Sequence, residues 1–191
     1  MDDSARRLMM TNKAVVWAAA FLMAAAFAPR AFAQPAHDEK AEKHEEHENA
    51  GKVNGETLES VKVTLGQGLA ASEKTGAPLS GKFELEDGKL QLSVYTMKAG
   101  KFAEVVVDHK TGKIVKSEAI TGGEDLAAAK TQSAAMANAK MTLGAAVGKA
   151  LAGNKGFSAI SVAPATKDGR PVADVSIGKE DDIKTVMVKL D

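Results

Sequence analysis

A five-residue string that occurs twice constrains this chain more than any other feature. Lys62-Val63-Thr64-Leu65-Gly66 returns as Lys140-Met141-Thr142-Leu143-Gly144, with Thr64 and Thr142 lying 78 positions apart. Self-similarity of this kind marks a supersecondary unit used more than once. Each copy opens a short amphipathic stretch. Leu65 and Leu69 stand one helical turn apart, and Leu143, Val147 and Leu151 continue the same stripe in the second copy, as the apolar face of a helix requires. Thr64 is placed to cap the first helix, with Gln67 completing a capping box. Thr142 caps the second without the box, because Ala145 holds the partner position. A cap contributes about 1 kcal/mol, so it sets where a helix begins rather than whether the fold forms.

Strand signals follow each helix in the same order. In the first copy Phe83 and Leu85 alternate with Glu84 and Glu86, Asp87-Gly88 turns the chain, and Leu90, Leu92 and Val94 alternate with Gln91, Ser93 and Tyr95. After Ala99-Gly100, Phe102 to Val107 make a third strand, and Ile114-Val115 add a short fourth. The second copy supplies Ile160 and Val162, a turn at Asp168-Gly169, then Ala173, Val175 and Ile177, a charged turn at Lys179 to Asp182, and Val186, Val188 and Leu190. Between the copies, Thr121 to Ala139 is alanine-rich, with Thr121 and Glu124 in capping-box spacing, and reads as a linking helix. The expectation is an α+β protein of two small modules, each a helix packed on a three- to four-stranded antiparallel sheet, joined by the Ala-rich helix. The boundaries are residues 57–118 for the first module, 119–139 for the linker and 140–191 for the second. The competing reading is a coincidental match and one continuous sheet.

The N-terminal third has a different character. Arg6, Arg7 and Lys13 precede an apolar run from Ala14 to Phe27, and Ala31-Phe32-Ala33 supplies a small-x-small pattern, so residues 1–33 read as a secretory signal peptide. The run is shorter than the roughly 20 residues a membrane-spanning helix needs. Residues 34–56 hold almost no large apolar side chain and crowd together His37, Glu39, Glu42, His44, Glu45, Glu46, His47 and Glu48. A solvated linker is one reading of this tail. The other is a ligand set for zinc, nickel or copper built on His37, His44 and His47, since imidazoles with nearby carboxylates suit those ions. His44 and His47 are three apart, which departs from the His-Glu-x-x-His spacing of metallopeptidases.

Composition removes several classes of chemistry. Lys and Arg together number 25 and balance 25 Asp and Glu, so charge argues for no nucleic-acid partner. There are 0 Cys, which rules out disulfides, thiolate catalysis, Fe–S clusters and a lipid-bearing cysteine. His109 is the sole histidine beyond the tail, no Gly-rich phosphate loop joins a strand to a helix, and no Gly-x-Ser-x-Gly elbow occurs. A non-catalytic protein without a bound cofactor is the expectation.

Leu90-Gln-Leu-Ser-Val-Tyr95, then Ala103-Glu-Val-Val-Val-Asp108, then Thr111-Gly112-Lys113-Ile114 resemble the PepSY domain, a small exported module similar to the C-terminal part of the propeptides of thermolysin-type metallopeptidases. The likeness is clear from Thr57 to Glu118 and looser from Lys140 to Asp191, where the last strand has no counterpart. It implies a PepSY/cystatin-like fold and a periplasmic or secreted binding module that inhibits or regulates a peptidase or a membrane sensor by protein contact. Asp108, Thr111 and Gly112 are expected to form a structural turn. Ile183, Val186, Val188 and Leu190 define a candidate edge strand for a protein partner of the cell envelope. The alternative function is metal binding or metal response through the His/Glu tail.

Overall fold

The computed structural model describes residues 53–191. The expected signal peptide over residues 1–33 and His37, His44 and His47 lie outside the described residues. Among the described residues four helices and seven strands follow in the order α1 (Gly55–Leu58), α2 (Leu65–Ser72), β1 (Ala77–Glu86), β2 (Lys89–Lys98), β3 (Lys101–Val107), β4 (Ile114–Ile120), α3 (Gly123–Met136), α4 (Leu143–Ala152), β5 (Ser158–Lys167), β6 (Arg170–Lys179) and β7 (Asp182–Lys189). The fold is α+β, with all neighbouring strands antiparallel.

The repeat is visible in three dimensions. Helix, hairpin and third strand recur as α2-β1-β2-β3 and α4-β5-β6-β7. Thr64 and Thr142 both cap their helices through the side chain, and Gln67 closes the box on the first alone. Both copies also tie the start of the helix to the end of the third strand. Lys62 and Val63 donate to the His109 carbonyl at 2.9 and 3.0 Å, and Lys140 and Met141 donate to the Leu190 carbonyl at 2.6 and 3.1 Å. The repeated string is thus the place where each helix is moored to its own sheet.

The copies nevertheless share one sheet, in the order β4-β3-β2-β1-β5-β6-β7. The first strands of the two copies meet at its centre, with Gly81 opposite Val162 and Lys82 opposite Ser161. A repeated unit and a continuous sheet, set against each other by the sequence, occur together. The physical reason is that a first strand at a module's edge exposes unpaired amides and carbonyls, and pairing the two edges satisfies both. Helices α2 and α4 pack on one face and touch each other. Beneath them Leu65, Leu69, Phe83, Leu92, Val94 and Val105 from the first copy join Leu143, Val147, Val162, Val175 and Ile177 from the second in one apolar core.

Three local expectations are revised. Strand β4 runs seven residues, from Ile114 to Ile120, instead of ending at Val115. Lys116, Ser117 and Glu118 carry no apolar alternation because no helix covers them, yet their backbone pairs with β3 throughout. Helix α3 starts after Gly122, which caps it without a side-chain bond, so the Thr121–Glu124 box does not form; Gly123 at φ 70° redirects the chain first. Order also begins before Thr57. Asn54 and Thr57 make a capping box for α1, the Gly55 amide donates to the Glu180 carbonyl at 2.8 Å, and a Cβ at Gly55 would strike the backbone of the β6–β7 turn.

Candidate functional site

The sheet face opposite α2 and α4 is polar over the first copy. Strand alternation puts Lys82 and Glu84 of β1, Gln91, Ser93 and Tyr95 of β2, and Glu104 of β3 on it, with Lys82 and Ser93 as cross-strand neighbours and Tyr95 opposite Glu104. Helix α3 crosses this face over β1, β5 and β6. It is held by Ser80, whose hydroxyl donates to Gln132 Oε1 at 2.8 Å, and by Tyr95, whose hydroxyl donates to Asp125 Oδ1 at 3.2 Å.

The row is knitted together. Lys82 pairs with Glu84, and Gln91 Nε2 donates to Glu84 Oε1 at 3.2 Å and to Ser93 Oγ at 3.0 Å. Burial sets the titration of these groups. It pushes the Tyr95 phenol, the Glu104 carboxyl and the Asp125 carboxyl up, and the Lys82 ammonium down. For Glu104 the Ser93 hydrogen bond opposes the shift, and Glu84 and Glu86 reinforce it.

A carboxyl raised in the folded state holds its proton more tightly there than in the unfolded chain, so its contribution is complete below the unfolded value and is lost as pH rises through the folded one. Glu104→Gln is therefore expected to raise the melting temperature at neutral pH and to change it little in acid. Melting curves across that range read the difference, and an equal shift at both ends would contradict it.

The Asp108 turn has the expected geometry. Asp108 Oδ1 accepts from the Lys110 amide at 3.0 Å, the Thr111 amide at 2.7 Å and the Thr111 hydroxyl at 2.8 Å, while Gly112 takes φ 72°. These bonds, the Thr111 hydroxyl first, hold the Asp108 carboxyl below the usual aspartate range. Asp108 and Thr111 are thereby committed to each other. The adjoining hollow of about 410 Å³ is bordered by Gln91, Val106 and His109. His109 is more than a surface turn residue, because its carbonyl moors the start of α2.

The candidate edge residues separate. Strand β7 ends the sheet, with Ile183 and Met187 about half exposed. Val186 and Val188 turn toward the core. Leu190 lies beyond β7 and is fully buried, so it seals the second copy and offers nothing to a partner. Among the described residues no cluster of His, Cys, Asp and Glu could hold a metal ion, and no helix is long and apolar enough to cross a membrane. The polar row escapes sequence reading because Lys82, Glu84 and Glu104 look like ordinary outward strand positions until register sets them side by side.

No family model and no curated protein matches the chain. One solved structure, titled a candidate lipoprotein from Clostridium difficile 630, is similar at 13% identity and a TM-score of 0.41, covering 69% of this chain and 89% of that one.

Proposed function

We propose that this chain is an exported, non-catalytic binding protein made of two PepSY-like copies, and that it holds a protein partner of the cell envelope, a peptidase or the sensor part of a membrane protein. The observation that carries this reading is the edge at β7, which no other strand pairs among the described residues. The β6–β7 hairpin closes on Lys179 and Asp182, so the alternate residues Ile183, Thr185, Met187 and Lys189 turn their amides and carbonyls away from β6. An extended segment laid along that edge gains main-chain hydrogen bonds, and Ile183 and Met187, on one face, give it apolar contacts. The resemblance to propeptide modules supplies the kind of partner, and the apolar leader supplies the compartment, periplasmic or secreted.

A photo-crosslinking residue at position 187 in the living cell tests it. Adducts with an envelope protein are expected from that position and not from Lys167, at the tip of the β5–β6 hairpin. Thr185→Pro, which removes one outward amide and leaves the bonds to β6, is expected to reduce them severalfold. Adducts of equal yield from both positions, or adducts indifferent to Thr185→Pro, would contradict the reading.

A further inference from the structure

The other edge of the sheet carries a separate proposal. Strand β4 ends the order on the side of the first copy. The β2–β3 hairpin closes on Lys98 and Lys101, so Lys101, Ala103, Val105 and Val107 spend their backbone groups on β2, and Phe102, Glu104 and Val106 spend theirs on β4. Their partners there are Ile120, Glu118 and Lys116. That leaves the amides and carbonyls of Ser117 and Ala119 pointing outward, while Val115 is the extra residue of a bulge between Ile114 and Lys116. We propose that two copies of this chain pair their β4 strands antiparallel about a two-fold axis through Ser117.

The sequence of β4 is self-complementary in that register. Ser117 meets the partner's Ser117 and exchanges hydrogen bonds with it, and the partner's Ala119 lies beside the Val115 bulge. Lys116 meets the partner's Glu118, twice over by symmetry. These charged pairs fall at the non-hydrogen-bonded positions, where facing Cα atoms are about 4.5 Å apart and side chains approach most closely. Neighbouring registers fail. A two-residue slip either way sets Lys116 against Lys116 or Glu118 against Glu118, and a one-residue slip turns the strand face over.

A lone lysine on an edge repels a second copy, but a glutamate two residues further on reverses that effect. Lys116 and Glu118 now pair along their own strand at 3.0 Å and are more than half exposed, so exchanging partners costs little. Val115, 63% exposed, would be covered. An edge of seven residues is small, which places the dimer in the weak, concentration-dependent class.

Sedimentation of the full chain over a concentration series tests this with three variants. Wild type is expected to show a reversible dimer. Lys116→Glu and Glu118→Lys alone each set like charges opposite and should weaken it about tenfold or more. The double exchange should restore it, and the two single variants mixed should associate with each other. A monomer at every concentration would overturn the proposal. So would a dimer of equal strength in all four proteins.

Discussion

Leu92→Ala is expected to lower the unfolding free energy by about 2–5 kcal/mol, the range measured when a buried leucine is truncated and its cavity persists. Leu92 is fully buried in β2, between Phe83 of β1 and Val107 of β3. Helix α2 descends on it through Gly68, where a Cβ would strike the Leu92 side chain. The glycine and the leucine thus fit one another. Gly68→Ala alone should destabilise, despite alanine's better helix propensity, because overpacking a tight core costs about 1–3 kcal/mol. Placed in the Leu92→Ala background, the same change should be neutral or stabilising, since its methyl enters the vacated space. Urea unfolding of the two single variants and the double variant measures the coupling. Additive costs would contradict the described contact.

Leu190→Ala should cost as much, about 2–5 kcal/mol, although the residue is next to the last in the chain. Leu190 is fully buried, its amide donates to the Pro171 carbonyl at 3.0 Å, and its carbonyl receives the Lys140 and Met141 amides at the start of α4. Deleting Leu190 and Asp191 removes those acceptors as well and should cost more than the point substitution. A C-terminal tail of ordinary character would tolerate either change within about 0.5 kcal/mol. Thermal melts of both variants separate these outcomes.

The sequence was legible for most of the local chemistry, the unformed Thr121–Glu124 box and the unread Asn54–Thr57 box apart. Thr64 and Gln67, Thr142, Asp87-Gly88, Asp168-Gly169 and the Asp108–Gly112 turn each act within a few residues, and the structure shows each of them. Period-two alternation located the strands for the same reason. What stayed hidden depends on pairing between distant residues. Nothing near Gly81 or Val162 announces that they sit opposite each other and join the two copies. The full length of β4 was hidden too, because an edge strand outside helix cover needs no apolar alternation. Leu190 completes the apolar alternation of β7 in the sequence, and its buried mooring role is set by α4, about 50 residues away along the chain. The polar row behind the sheet needed the register of β1, β2 and β3 before Lys82, Glu84 and Glu104 became one group.

Two copies of one unit join in a single body through the β1–β5 junction and the shared core beneath α2 and α4. Native-state hydrogen exchange in the Leu92→Ala protein tests it most directly, by following the amides of Val94 and Val105 in the first copy and of Val175 and Ile177 in the second. Merged copies predict that protection falls by the same amount at all four positions. Full protection retained at Val175 and Ile177 while Val94 and Val105 lose theirs would mean that the copies fold apart, and would contradict the account.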